Sequence, residues 1–92
     1  MKYPMKSYLL KCFSDREELW EYETFPMMER EYGVDISKWR YDIRFWLIEY
    51  EVGGMLELTG TAMDSTHYGK TKLVHRYRLT EMGHDRIDTM LR

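Results

Sequence analysis

Two consecutive glycines divide this chain into segments with different hydrophobic patterns. Before Gly53 and Gly54, apolar side chains recur at helical spacing, and about 100° per residue places them on one side of a helix. Asp35 is a natural N-cap, so we expect this helix to run over residues 35–52. Its apolar side comprises Ile36, Trp39, Ile43, Trp46, Leu47 and Tyr50.

After the glycines, apolar and polar residues alternate, which predicts a β-hairpin. The first strand alternates from Leu56 onward, and the polar stretch over residues 64–70 is expected to form the loop. The returning strand is expected to place Leu73 and Tyr77 on one face and Val74 on the other. Because a two-stranded hairpin is not stable alone, a helical layer must cover it.

The N-terminal third of the chain is predicted to supply part of that layer. Residues 5–13 show a short apolar helical face. Ser14 or Asp15 is expected to cap a second helix, whose stripe of apolar residues continues to Phe25. These segments therefore predict two helices before residue 26.

Residues that typically begin or end helices complete the predicted fold. Pro26 is expected to open a short third helix, which Gly33 ends with a left-handed cap, and Thr80 is expected to cap the last helix. A chain of 92 residues has room for one core, so residues 1–92 are expected to form a single domain. The predicted class is α+β and mostly helical, with helices packed beneath a two-stranded hairpin.

Two segments carry a resemblance to a known architecture. Arg76-Tyr77-Arg78-Leu79-Thr80-Glu81-Met82-Gly83 resembles the Tyr-x-Leu-Thr-x-x-Gly segment that joins the wing to the last helix of PadR- and MarR-like regulators. Glu18-Leu19-Trp20-Glu21-Tyr22-Glu23 is similar to an acidic, tryptophan-bearing second helix of small archaeal winged-helix proteins. The resemblance covers about residues 5–91. It implies a winged helix-turn-helix with a three-helix core, a two-stranded wing and a C-terminal helix, acting as a DNA-binding transcriptional regulator.

The distribution of charge bears on that implied function. The net charge is −2, and residues 14–31 are strongly acidic, which disfavours nucleic-acid binding because a basic footprint is expected. Residues 65–78, however, carry four basic residues and no acidic one. Because binding responds to the local field rather than to the total charge, this stretch is a candidate nucleic-acid contact.

The resemblance makes residues 35–52 the recognition helix in the major groove. In this architecture the N-terminal half of that helix touches base edges, so Lys38 or Arg44 could donate to guanine. Arg40 is expected nearer the core, where it could approach the DNA backbone or pair with an acidic residue. A solvated, partly salt-bridged helix face is the alternative interpretation. The candidate contacts on this helix are Ser37, Lys38, Arg40, Tyr41 and Arg44.

The hairpin loop over residues 64–72 is the candidate wing, expected to contact the phosphate backbone without reading sequence. Arg76 and Arg78 lie nearer its base, where they could pair with Glu57 across the hairpin. The alternative is that basic residues on exposed strands only resist aggregation. The candidate wing contacts are Thr66, His67, Tyr68, Lys70 and Lys72.

A second function remains open from the sequence: a winged-helix module that binds a protein rather than DNA. Net acidity and acidic residues in the recognition helix, such as Asp42 and Glu49, favour this hypothesis. Tyr41, Phe45 and Ile48 are expected to point outward, and contiguous apolar patches commonly mark protein contacts.

Other chemistry has little support in the sequence. His67, His75, His84 and Cys12 do not stand at ligand-like spacing, so we expect no metal site. No nucleophile, paired acid and base or phosphate-binding glycine loop is recognisable, so we expect no catalytic residues, no cofactor and no enzymatic activity.

The remaining expectations concern partners and compartment. The single cysteine fits a reducing compartment, and the first six residues contain no apolar signal-peptide core, so we expect a cytoplasmic protein without membrane contact. The resemblance implies a homodimer through the terminal helices. The apolar residues expected at that contact are Met5, Tyr8, Leu9, Ile87, Met90 and Leu91.

Overall fold

The computed structural model describes residues 3–90, which form four α-helices and a three-stranded antiparallel sheet. The predicted α+β class is confirmed, but the sheet has one strand more than the predicted hairpin. In chain order the elements are α1 (Met5–Lys11), β1 (Leu19–Trp20), a 3₁₀ turn (Glu21–Glu23), α2 (Thr24–Tyr32), a second 3₁₀ turn (Ile36–Trp39), α3 (Arg40–Val52), β2 (Leu56–Asp64), β3 (Lys72–Leu79) and α4 (Glu81–Met90).

The helix predicted between Ser14 and Phe25 is wrong. The hydroxyl of Ser14 donates to the carbonyl of Lys11 at 2.7 Å, at the end of α1, and caps no new helix. Further on, β1 pairs with β3, with Leu19 opposite Tyr77. A strand of two residues is too short to produce an alternating pattern, so the helical spacing of its apolar residues was misleading.

The predicted turn before the long helix is confirmed. Gly33 adopts a left-handed conformation (φ 65°), and its N–H donates to the carbonyl of Glu29 at 2.8 Å, as a C-terminal cap should. The carboxylate of Asp35 accepts the N–H of Ser37 at 3.0 Å. The predicted helix over residues 35–52 therefore begins as a 3₁₀ turn and becomes α-helical at Arg40.

In the sheet, β3 lies between β1 and β2, and the β2–β3 hairpin is confirmed. The predicted division of β3 into two faces is wrong, because Tyr77 and Val74 are both 1% exposed, whereas Leu73, expected on the face of Tyr77, is 47% exposed. The register of the hairpin shifts between Leu58 and Gly60. The extra residue of this bulge is Thr59, so the alternation is interrupted on β2 and the local twist of the hairpin increases.

The terminal helices contribute to the core of their own chain. Leu9 in α1 and Ile87 in α4 are buried, and Met5, Tyr8 and Met90 pack against the core. Leu91, also predicted at a dimer contact, lies outside the described residues. Within residues 3–90, no helix combines the length and the apolar character needed to cross a membrane.

Cys12 is buried next to the end of α1, and burial raises the pKa of its thiol to about 12. The reactive form of a thiol is the thiolate, which is therefore almost absent at pH 8 in the folded protein. We expect Cys12 to resist a disulfide-exchange reagent such as dithiobis(nitrobenzoic acid) at pH 8 and to react within minutes once urea unfolds the chain. Equally fast labelling without urea would contradict this burial.

Candidate functional site

Two predicted contact residues stand exposed just before α3. The cap formed by Asp35 holds the 3₁₀ turn, in which Ser37 and Lys38 are both exposed. The N–H of Ser37, together with its hydroxyl, lowers the pKa of the Asp35 carboxyl below its usual value. The turn is therefore fixed with its serine and lysine side chains accessible.

Further predicted contact residues lie on the hairpin, and one of them approaches the start of α3. Thr66 and Lys70 are exposed, and Lys72 places its ammonium 5.1 Å from the ring centre of Tyr41, near the start of α3. Tyr41 itself is 50% exposed. The structure thus brings the end of the hairpin and the N-terminal end of α3 together.

The loop does not project into solvent along its whole length, because Tyr68 is buried. Its ring packs edge-on against Phe25 with 5.8 Å between ring centres, and its hydroxyl donates to Glu21 Oε2 at 3.2 Å. Burial, followed by the charge of Glu21, raises the pKa of Tyr68 above its usual value. The prediction that Tyr68 is an exposed phosphate donor is therefore wrong, because this tyrosine anchors the loop to the core.

His67 is held in the same folded-back loop. Its ring stacks on Tyr22 with 4.0 Å between ring centres, and its backbone N–H donates to Asp64 Oδ2 at 3.0 Å. That N–H is the main cause of a lowered pKa for Asp64. The imidazole stays partly exposed, so it can still contact a ligand at the surface.

Arg40 connects the loop to the 3₁₀ turn. Its Nε donates to the carbonyl of Ser37 at 3.0 Å, and its Nη1 donates to the carbonyl of His67 at 2.5 Å. The expected pairing with an acidic residue is not among these contacts. Since a guanidinium has five N–H donors, Arg40 retains donors beyond these two bonds.

Arg44 does not occupy the exposed position that was predicted. Its Nη2 donates to the carbonyl of Leu73 at 2.5 Å, and its guanidinium lies 5.6 Å from the ring centre of Tyr68. Only 19% of its side chain is exposed. Arg44 therefore joins α3 to β3, and its role as a direct base contact is not supported by its position.

Sequence reasoning missed a buried carboxylate at the centre of this region. Glu21 is 1% exposed. Its Oε1 accepts the backbone N–H of His75 at 2.9 Å and lies 3.7 Å from Arg44 Nη1, while its other oxygen binds Tyr68. In the sequence, Glu21 is one of several acidic residues between 14 and 31, and no signal separates it from its exposed neighbours.

A cleft of about 310 Å³ lies between the start of α2, the 3₁₀ turn and the loop. Its polar lining includes an acidic residue, Glu29, whose carboxylate accepts the N–H of Ile36 at 3.4 Å. The other polar residues of the lining are predicted contacts: Ser37, Arg40, Thr66 and His67.

The two arginines at the base of the hairpin are engaged in ion pairs. Arg78 pairs with Glu57, as the sequence suggested, and Arg76 Nε lies 3.0 Å from Glu18 Oε2. These pairs leave the lysines as the less neutralised cations of the basic stretch. Within residues 3–90, Lys70 and Lys72, toward the loop end of the hairpin, form no ion pair.

Comparison of the chain with protein-family models, with curated proteins and with solved structures finds no match. No group of three or more histidine, cysteine, aspartate or glutamate side chains among residues 3–90 is arranged to hold a metal ion.

Proposed function

We propose that this chain is a winged helix-turn-helix protein that binds duplex DNA. The observation that carries the proposal is that the end of the hairpin packs against the start of α3, where Lys72 lies 5.1 Å from the ring centre of Tyr41 and Arg40 donates to the carbonyl of His67. Lys38, in the 3₁₀ turn before α3, and Lys70, in the hairpin loop, are both exposed. The element order supports it, because α1, α2 and α3 precede the β2–β3 hairpin, α4 follows it, and β1 between α1 and α2 adds a third strand beside the hairpin.

In this proposal, contacts to DNA divide into two groups. Ser37, Lys38 and Tyr41 approach base edges and the adjacent backbone, since the N-terminal end of the second helix in a helix-turn-helix enters the major groove. Thr66, Lys70 and Lys72 hold phosphates on the neighbouring backbone, which positions the protein without reading sequence.

The cleft between the 3₁₀ turn and the loop offers a site for one phosphate. Arg40 retains free N–H donors, and Ser37, Thr66 and His67 surround it at the surface. Arg44 and Tyr68, by contrast, act as positioning residues that hold the loop against α3. Binding to DNA implies a compartment that contains it, which for a chain with one free thiol fits the predicted cytoplasm.

A homodimer through the terminal helices stays part of the proposal. Two copies would present two recognition helices about 34 Å apart on one face of the duplex. Since Leu9 and Ile87 are used within the chain, the contact would depend on the partly buried Met5, Tyr8 and Met90. Light scattering on the pure protein measures whether the mass is that of one chain or two.

The test is a fluorescence-anisotropy titration with labelled mixed-sequence duplexes at about 50 and 200 mM salt. We expect affinity that falls steeply with salt. Because each phosphate contact contributes about 0.9 to the slope of log K against log salt, Lys38→Ala/Lys70→Ala/Lys72→Ala should flatten that slope by about 2–3. Arg44 is left intact because its replacement would disturb the fold.

A matched variant removes the same charge elsewhere. Arg16, Arg30 and Arg86 are exposed and lie outside the candidate interface, so Arg16→Ala/Arg30→Ala/Arg86→Ala should keep nearly the full slope. If both triple variants flatten the slope of log K against log salt equally, the binding is a diffuse attraction to net charge and does not use the candidate interface. Absence of salt-sensitive binding at micromolar protein would reject the proposed function.

A further inference from the structure

The outward face of α3 carries a continuous apolar stripe that the proposed function does not use in full. The stripe consists of Tyr41, Phe45, Ile48 and Val52, at intervals of four, three and four residues. Tyr41, Phe45 and Val52 are 50%, 60% and 83% exposed, and Ile48 is partly exposed. At 1.5 Å per residue the stripe is about 16 Å long.

Within the fold, the ring of Tyr41 contacts the hairpin, 5.7 Å from the ring centre of Tyr68 and 5.1 Å from the ammonium of Lys72, whereas Phe45 and Val52 stay largely exposed. The opposite face of α3 supplies the core through Ile43 and Leu47, both fully buried. Apolar residues at alternating intervals of three and four are the pattern that one helix presents to another in a helix–helix contact. The α3 outer stripe therefore has the spacing of a seam for a second helix.

The charges beside the stripe restrict what can cover it. Asp42 and Glu49 are exposed, stand seven residues apart and therefore lie on the same flank of the stripe. Asp42 has no side-chain partner among residues 3–90, and Glu49 holds Lys6 at 3.2 Å in an exposed pair of small energetic value. Arg44, on the other side, is engaged with Leu73 and Glu21.

These charges disfavour a second copy of the same chain. A two-fold contact between antiparallel α3 helices would bring Asp42 of one copy near Glu49 of the other, and like charges at a contact are unfavourable. A helix with basic residues along its edge would instead meet both acidic side chains with opposite charge.

We propose that the α3 outer stripe docks an amphipathic helix of a partner protein, with leucine-like residues on the seam and lysine or arginine beside Asp42 and Glu49. Because Tyr41 belongs both to the stripe and to the proposed DNA contact, the partner helix and the duplex exclude each other. That exclusion rests on the proposed function, whereas the docking does not.

The probe is a labelled peptide of about 18 residues with leucines at helical three-and-four spacing and lysines on the flanks, compared with the same peptide carrying glutamates. Titration is followed by anisotropy without DNA. We expect the lysine peptide to bind at least tenfold more tightly than the glutamate peptide. Phe45→Ser/Val52→Ser should weaken it at least tenfold, and Asp42→Lys/Glu49→Lys should reverse the preference between the peptides.

The matched control is Val34→Ser, which removes an exposed apolar side chain from the turn before α3 and should leave peptide affinity unchanged. Circular dichroism verifies that each variant is folded. Equal affinity for both peptides, no binding of either, or indifference to Phe45→Ser/Val52→Ser would overturn the docking.

Two further results would reassign the stripe and so overturn the proposal. Self-association of the protein that Phe45→Ser/Val52→Ser abolishes would make a second copy the occupant. Loss of duplex binding in that variant, with no peptide binding by the unaltered chain, would make the stripe part of the DNA contact. Failure of duplex binding alone would reject the proposed function and leave the docking result intact.

Discussion

Replacing Glu21 with alanine is expected to lower the free energy of unfolding by about 3 kcal/mol, because removal of one partner from a buried polar cluster leaves the others unsatisfied. The N–H of His75 and the hydroxyl of Tyr68 would lose their acceptors, and Arg44 would lose the carboxylate that lies 3.7 Å from its Nη1. Urea unfolding followed by tryptophan fluorescence measures the change.

Two comparisons separate the contribution of the cluster from that of the carboxylate charge. Glu21→Gln keeps an oxygen for the N–H of His75 but leaves Arg44 without a counter-charge, so it should fall between alanine and the unaltered chain. Glu17→Ala removes an exposed carboxylate from the same acidic segment and should change stability by less than about 0.5 kcal/mol. Equal stability of Glu17→Ala and Glu21→Ala would contradict the buried cluster.

Replacing Gly83 with alanine is expected to destabilise the protein by about 2–3 kcal/mol, because overpacking a tight contact displaces backbone and side chains. A Cβ at this position of α4 would lie 2.3 Å from the carbonyl oxygen of Met55 and 2.5 Å from a methyl carbon of Leu79. The carbonyl is backbone, so α4 itself would have to move away from the strand ends.

Helix propensity predicts the opposite sign for the same substitution. Alanine is favoured over glycine inside a helix by about 1 kcal/mol, so an α4 without close packing would become more stable. Asp88→Ala, on the exposed side of α4, is the control and should be neutral or slightly stabilising. A higher midpoint of urea unfolding for Gly83→Ala would show that α4 does not pack closely against Met55 and Leu79 at this position.

The segments that were predicted well are those whose local signals agree with the tertiary structure. The long apolar periodicity identified α3, Gly33 and Asp35 marked the turn before it, and alternation identified the hairpin. In each case several residues carry the same signal, so one irregular position does not remove it. The charge pairing of Arg78 with Glu57 follows directly from the hairpin.

The errors have a common physical origin in contacts between residues far apart in sequence. β1 forms because Leu19 pairs with Tyr77 in β3. No local pattern in residues 14–25 indicates this contact. Tyr68 and Arg44 are polar-ended side chains in polar surroundings, and only the distant Glu21 explains why they turn inward. The positions of these two predicted site residues therefore could not be judged from local sequence.

The contacts of Tyr68 and Arg40 hold the hairpin loop in place before any ligand binds. The loop is held by Tyr68 in the core and by Arg40 across the cleft, so the hairpin lysines have a fixed position relative to α3. A contact surface held in place before binding loses less conformational freedom when it binds. If the proposed DNA contact is correct, loss of Glu21 should therefore weaken duplex binding even under conditions in which the variant remains folded.

The proposed DNA interface is tested most directly by adding a short mixed-sequence duplex to ¹⁵N-labelled protein and following the amide resonances. We expect the largest shifts at Ser37, Lys38, Thr66, Lys70 and Lys72. These shifts should diminish as salt is raised, and α1 and α4 should change little. Shifts confined to α1 and α4, or none at millimolar duplex, would contradict a DNA contact formed by the start of α3 and the hairpin.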